Sequence, residues 1–319
     1  MTRHEQILVG ILALVVSMMG FLAGIASAEP TVDEMQGTVT YIASDKCAGR
    51  QTASSGIYRA QQYVAGKLRD AGLDPRYQEF SVGGWGKCRN LVAFVQGASD
   101  KYIVIGAHID HLGTQGRRQV MNGADDNASG SAVILAMAID LNKQQSTSLV
   151  PIRHSVVFVW FTGEEHGFWG SEYFAKNPLA PVQGKLKTGA SLPIFMLNLD
   201  MVGRLRKGYR DVDEFFPPRK PMSVVRILES LYLRYDFGEN IVYRDGGADS
   251  DHYPFYKRGV PYVLLHTGLH ADYHRPTDDA DKINYEGMLK VTHFAQDLIG
   301  AILNADEIEY DFINGVTDE

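Results

Sequence analysis

The sequence predicts an α/β protein, a three-layer α/β/α domain on a central mixed, mainly parallel sheet. Short apolar runs at 102–107, 155–161, 194–199 and 261–265 are rich in β-branched and aromatic residues and lack polar alternation. That pattern marks strands buried on both faces. Segments of helical periodicity fall between the runs, and their alternation favours helices on both sides of one sheet. The runs also share an ending, since each leads into a carboxylate or a histidine. In such sheets ligands gather beyond the carboxyl ends of the strands.

The elements follow in order. Residues 31–43 read as a helix. Residues 56–72 do so more clearly, because Ile57, Ala60, Val64, Leu68 and Ala71 share a face and Gly72 supplies a stop. Pro75 to Val82 turns to extended spacing, and Asn90 to Val95 reads as another strand. Ser129 to Leu141 is apolar almost all round, which predicts a helix buried against the sheet. Met222 to Leu233 is amphipathic. Tyr285 to Leu303 forms a closing helix with Met288, Val291, Ala295, Leu298 and Ile302 inward. Between Arg204 and Lys220 the rhythm breaks, and mixed charges with Pro217-Pro218 predict a long loop that either shapes access to a site or is a plain surface insertion.

Composition narrows the function classes. A chain of 319 residues with 45% hydrophobic content can bury a full core, and a net charge of −7 argues against a nucleic-acid partner. Arg3 precedes an apolar stretch from Ile7 to Ile25, followed by Ala26-Ser27-Ala28 and Glu29-Pro30. Small residues at those positions predict a signal peptide over residues 1–28, cleaved after Ala28, with an uncleaved anchor as the alternative. Either way the expectation is export to the periplasm or beyond, with membrane attachment only if the segment stays. Residues 29–319 read as a single domain. Cys47 and Cys88 are the two cysteines, either one disulfide or two buried thiols.

His, Asp and Glu delivered to strand ends without cysteine have the character of a metal site for zinc, manganese or cobalt. Two neighbouring cations need a shared carboxylate to offset their repulsion, and Asp125-Asp126, at the start of the buried helix, can supply it. Asn127 and Ser129 are placed to hydrogen-bond that turn, and Gly123 and Gly130 point to crowding. Helix capping explains one aspartate but not two. In an extended chain His108 and Asp110 share a face, so Asp110 can orient the His108 ring. His111 is expected to face away or to make a structural hydrogen bond. Glu164 and Glu165, as extended neighbours, point in opposite directions, so one can ligate while the other takes a proton from water. Spacing does not say which. Asp200 has a buried setting that demands a partner. Of His266, His270 and His274, chemistry alone selects none.

Taken in order, these segments resemble the co-catalytic zinc exopeptidase family of bacterial leucyl aminopeptidases, glutamate carboxypeptidase and glutaminyl cyclases, peptidase family M28. The resemblance lies in Gly106-Ala107-His108-Ile109-Asp110-His111-Leu112-Gly113, Asn122-Gly123-Ala124-Asp125-Asp126-Asn127-Ala128-Ser129-Gly130 and Phe161-Thr162-Gly163-Glu164-Glu165-His166-Gly167-Phe168-Trp169-Gly170-Ser171. It continues in Asn198-Leu199-Asp200-Met201-Val202-Gly203, Ser250-Asp251-His252 and Asp272-Tyr273-His274, and the opening segment with Gly49-Arg50 is also similar. It spans roughly residues 35–300.

The resemblance implies two zinc ions. His108 and Asp200 would complete one, Glu165 and His274 the other, Asp126 would bridge them, and Glu164 would be the general base. It selects His274 among the three histidines and implies a zinc aminopeptidase-like fold. Gly246-Gly247-Ala248 stand where some members place an aromatic that supports the transition state, which leaves the oxyanion-stabilising group unassigned. The expected reaction is hydrolysis of N-terminal peptide bonds in peptides or proteins. The alternatives are a glutaminyl cyclase-like acyl transferase, a carboxypeptidase acting on acidic termini through Arg204, Arg206 and Lys207, and a non-catalytic binding ectodomain.

Overall fold

A computed structural model describes residues 29–116, 119–189, 191–206, 213–216, 219–237, 242–245, 249–304 and 310–312. The predicted signal segment, Lys207, Pro217-Pro218 and Gly246-Gly247-Ala248 lie outside the described residues.

Six strands form the main sheet: β1 (Arg76–Val82), β2 (Gly86–Val95), β3 (Tyr102–His108), β4 (Ser155–Phe161), β5 (Phe195–Leu199) and β6 (Tyr262–Leu265), in the spatial order β1-β2-β4-β3-β5-β6. The last four run parallel to one another, and the β1–β2 hairpin adds an antiparallel edge. Every residue of β3, β4, β5 and β6 is buried, as unbroken apolar runs require. Alternate residues serve opposite layers. Ile103, Ile105, Phe158 and Leu197 join the core under helices α1 (Val32–Ile42), α2 (Ser55–Asp70), α3 (Gly130–Thr147), α5 (Met222–Tyr235) and α6 (Tyr285–Asn304). Val104, Val157, Val159 and Met196 face the other core, which α4 (Trp169–Lys176) covers with Phe174.

The predicted helices and strands stand within a few residues of their expected bounds, α3 reaching further, to Thr147. The five inward residues assigned to the closing helix are all buried. The segment predicted as a long loop is not all loop, because Asp213–Phe216 pairs in parallel with Val242–Asp245 and Arg219–Pro221 pairs with Tyr310–Phe312. Their partners lie far along the chain, so no local pattern marks them. Cys47 and Cys88 are both buried and unbridged. Among the described residues no helix is long and apolar enough to cross a membrane.

Candidate active site

Because β3, β4, β5 and β6 run in one direction, the segments that follow them open on one edge of the sheet. His108 pairs with Phe161 across β3–β4, and Asp200 N–H donates to the Leu265 carbonyl. That register places His108, the Glu164–Glu165 turn, Asp200 and the loop after β6 side by side.

Asp126 lies at the centre. His108 Nε2 is 3.4 Å from Asp126 Oδ1 and 3.3 Å from Asp200 Oδ1, while His274 Nε2 is 3.1 Å from Asp126 Oδ2 and 3.2 Å from Glu165 Oε2. One Asp126 oxygen therefore faces each pair. The turn that carries it is fixed from several sides. Asp278 Oδ2 accepts the backbone N–H groups of both Asp125 and Asp126, Asn127 Nδ2 donates to the Leu199 carbonyl, and Ser129 Oγ accepts from Val202 N–H. Gly123 begins the turn in the left-handed region (φ 55°), where a side chain would collide with the Asp126 carbonyl and the His111 ring. Asp125 takes no part in the cluster. Its carboxylate accepts Gly203 N–H at 2.7 Å and lies 3.1 Å from His270 Nε2.

His108 turns Nε2 toward Asp126 and Asp200. Its Nδ1 faces the Asp110 backbone oxygen at 3.2 Å and the Asp110 carboxylate at 3.9 Å, so the nearer contact is with the main chain of Asp110. The Asp110 carboxylate accepts from Thr52 Oγ1 and from the backbone N–H of Glu164. Asp200 finds the partners its burial requires, in His108 and in Ser250 Oγ, which donates at 2.6 Å.

Two side chains point where an extended chain would not send them, for one reason. His111 was a candidate to face away, yet its Nδ1 lies 2.7 Å from Glu165 Oε1; of its two expected roles it takes the hydrogen-bonding one, inside the cluster. Glu164 and Glu165 do not diverge, because their carboxylates and His108 offer atoms all within 4.8 Å of one another. The alternation rule holds only along a strand. β3 ends at His108, and Glu164–His166 form a 3-10 turn after a left-handed Gly163. Of the three downstream histidines only His274 enters the cluster. His266 Nδ1 accepts Gly268 N–H, and His270 is bound to Asp125.

Sequence reading missed the hub beneath the site. Arg50, completely buried, donates to the carbonyls of Ile42, Ile109, Asn122, Gly123 and Asp126. It stitches the opening segment, the end of β3 and the Asp126 turn together. Burial lowers its pKa, yet the charge survives on oriented carbonyls. Its only sequence signal was membership of a familiar motif, because its partners lie up to 76 residues away.

The electrostatics call for positive charge. Burial alone would depress the His108 imidazolium, but Asp200, Glu164 and Asp126 outweigh it and hold its pKa well above the ordinary value. The Asp126 and Glu165 carboxylates raise His274 to about 10. Burial drives Glu164 well up, against the pull of His108. Glu165 is held low: its hydrogen bonds to His111 and His274 overcome its burial. Asp126 Oδ2 is buried without a well-formed hydrogen bond, and each imidazole nitrogen facing the bridge meets two carboxylate oxygens where one N–H can satisfy one. Oxygen and imidazole donors arranged this way fit divalent cations.

Carboxylates and imidazoles gathered at the ends of parallel strands define a class, α/β/α proteins whose sheet edge carries groups that could hold a metal ion. The particular family is peptidase family M28: its profile matches residues 90–299, and the chain belongs to it. Similar proteins include leupeptin-inactivating enzyme 1 of Streptomyces exfoliatus, 29% identical over 76% of this chain and 49% of its own length. A probable leucine aminopeptidase of Arthroderma otae is 26% identical over 79% of this chain and 69% of its own. This chain thus spans about half the length of the first relative. Among solved structures, an aminopeptidase from Aneurinibacillus sp. strain AM-1 has a TM-score of 0.69 over 90% of this chain and 98% of its own, at 16% identity. Glutaminyl cyclase of Porphyromonas gingivalis has a TM-score of 0.67 over 85% and 98%, at 20% identity. At such identities the likeness is one of fold.

Proposed function

We propose that this chain is an exported, two-zinc aminopeptidase hydrolysing the N-terminal peptide bond of peptides or proteins. The division of the two Asp126 oxygens between two donor pairs carries the reading. His108 and Asp200 would hold one ion, Glu165 and His274 the other, with Asp126 common to both. Bound there, the ions would supply an acidified water and polarise the scissile carbonyl.

The chain's own residues do the rest. Glu164, made more basic by burial, takes the proton of the attacking water and returns it to the leaving amine. Asp110 steadies this base through its N–H and backs the His108 ring. His111 braces Glu165. The surplus of carboxylates favours an amine-bearing substrate end, which sets the exopeptidase register. The apolar segment before Ala28 supports export.

Two alternatives lose ground. The carboxypeptidase reading needs a free basic group; of the residues named for it, Lys207 lies outside the described residues, Arg204 is bound to Asp272 and Asp278 and Arg206 donates to the Leu269 carbonyl, which weighs against it. A donor pair on both sides of Asp126 weighs against a single-metal cyclase. The test is a screen of aminoacyl amides, with N-acetylated controls and a chelator arm. Free-amine substrates should be cleaved, acetylated ones spared, and activity lost on chelation and restored by zinc. Glu164→Gln should lower kcat about 10²–10⁴-fold with metal content intact. Turnover unchanged in chelator, or pyroglutamate formation as the dominant reaction, overturns the proposal.

A further inference from the structure

We propose that Trp85, His166 and Trp169 form the subsite for the residue that follows the scissile bond, and that the preferred substrates carry a large apolar or aromatic side chain there. The proposal rests on the aminopeptidase reading and adds a substrate class to it.

The chain has three tryptophans. Trp160 is completely buried in β4, its Nε1–H donating to the Ser131 carbonyl. The other two, 84 positions apart, meet beside the candidate site and remain partly exposed. Trp85 sits in an exposed glycine-flanked turn, Gly83-Gly84-Trp85-Gly86, between β1 and β2. It leans over His166 with ring centroids 4.2 Å apart, His166 lies 5.2 Å from Trp169, and the two indoles are 5.4 Å apart. None of the three belongs to either hydrophobic core. The fold therefore gives no packing reason for placing so much aromatic surface here.

Its position relative to the base supplies one. His166 follows Glu165 directly. Trp169 donates its backbone N–H to the Gly163 carbonyl, and its ring lies 3.0 Å from the point where a Cβ on Gly163 would stand. The rings are thus laid on the turn that carries Glu164. A group that protonates the leaving nitrogen comes within about 3 Å of it. The side chain of the leaving residue starts one atom beyond that nitrogen, so the surface it meets is the one borne by the Glu164 turn. Two indoles and an imidazole present ring faces and edges that favour an apolar or aromatic occupant.

The experiment compares Leu-Phe-amide and Leu-Gly-amide, with leucine amide as a reference that lacks the second residue. Wild-type kcat/KM for the first dipeptide step should favour phenylalanine over glycine by about tenfold or more. Trp85→Ala should shrink that ratio by about tenfold, and Trp85→Phe should retain most of it. A purely structural role would lower both dipeptides alike and leave the ratio unchanged, which overturns the subsite. Cleavage of leucine amide with a Phe/Gly ratio within about twofold sinks the subsite and leaves the aminopeptidase reading standing. No cleavage of any free-amine substrate sinks both.

Discussion

The two donor pairs that meet on Asp126 have the same chemistry and different support. The His108–Asp200 pair stands on strand ends, with side chains only 1% and 12% exposed. His108 is held at Nδ1 by Asp110 and at its carbonyl by Ser131, and Asp200 is held by Ser250, itself bonded to Asn198. The Glu165–His274 pair stands on a 3-10 turn and a loop. His274 is 37% exposed and left-handed, with its ring stacked on Tyr273 at 3.8 Å. That loop is anchored further off, where Asp272 meets Arg204 and Lys282 and Asp278 meets Arg204. The sheet thus preorganises one pair, and surface-side contacts position the other.

The largest effect should fall where the pairs join. Asp126→Asn keeps the shape but removes the charge both pairs share, so both ions should be lost and activity reduced about 10³-fold or more. Asp125→Asn should retain both ions and cost roughly 1 kcal/mol, since its carboxylate serves Gly203 N–H and His270. Metal content and melting temperature, with and without chelator, compare the two variants. Equal losses at the two positions would erase the bridge.

The same contrast explains what could be read in advance. The strand-borne groups were legible, because buried runs forecast parallel strands and parallel strands forecast a shared edge for His108, Glu164 and Asp200. The loop-borne histidine was not: nothing in 266–274 distinguishes His274, and it took a family resemblance to choose it. The Glu164–Glu165 pair was misdirected because alternation was carried past the last strand residue. Arg50, Thr52, Ser250 and Asp278 were illegible for a different reason. Each acts through hydrogen bonds to residues 50 or more positions away, and such closures exist only once the chain is folded.

Next in size is the difference between the two histidines. His108→Asn leaves Asp126 and Asp200 buried against each other without a cationic partner, and breaking a buried pair of this kind costs about 3–5 kcal/mol. His274→Asn removes a ring that water already reaches, so in chelator its cost should stay below about 1 kcal/mol, although one ion is lost in zinc. Chelator-treated melting curves of the two variants give the comparison directly. Equal destabilisation would mean that the sheet does not preorganise its pair.

The last comparison is the pH dependence of metal uptake. In the metal-free protein the Asp126 and Glu165 carboxylates hold His274 up at about 10, and Asp200, Glu164 and Asp126 hold His108 above its ordinary value, so the cluster favours the protonated rings. A ligating imidazole must be neutral, so each ring releases one proton when an ion binds. Glu165 is held low by His111 and His274 despite burial, so it is already ionised and releases none. Affinity should therefore rise with pH, about tenfold per unit for each proton displaced, and the His274 contribution should level off above about 10. Calorimetry in two buffers of different ionisation heat counts the protons. His274→Gln should remove one proton from the count at pH 7, whereas His108, buried among carboxylates, should still release its own. An affinity that stayed flat between pH 7 and 9 would show that the imidazoles are not protonated in the metal-free site, and the charge argument for a two-cation centre would fail with it.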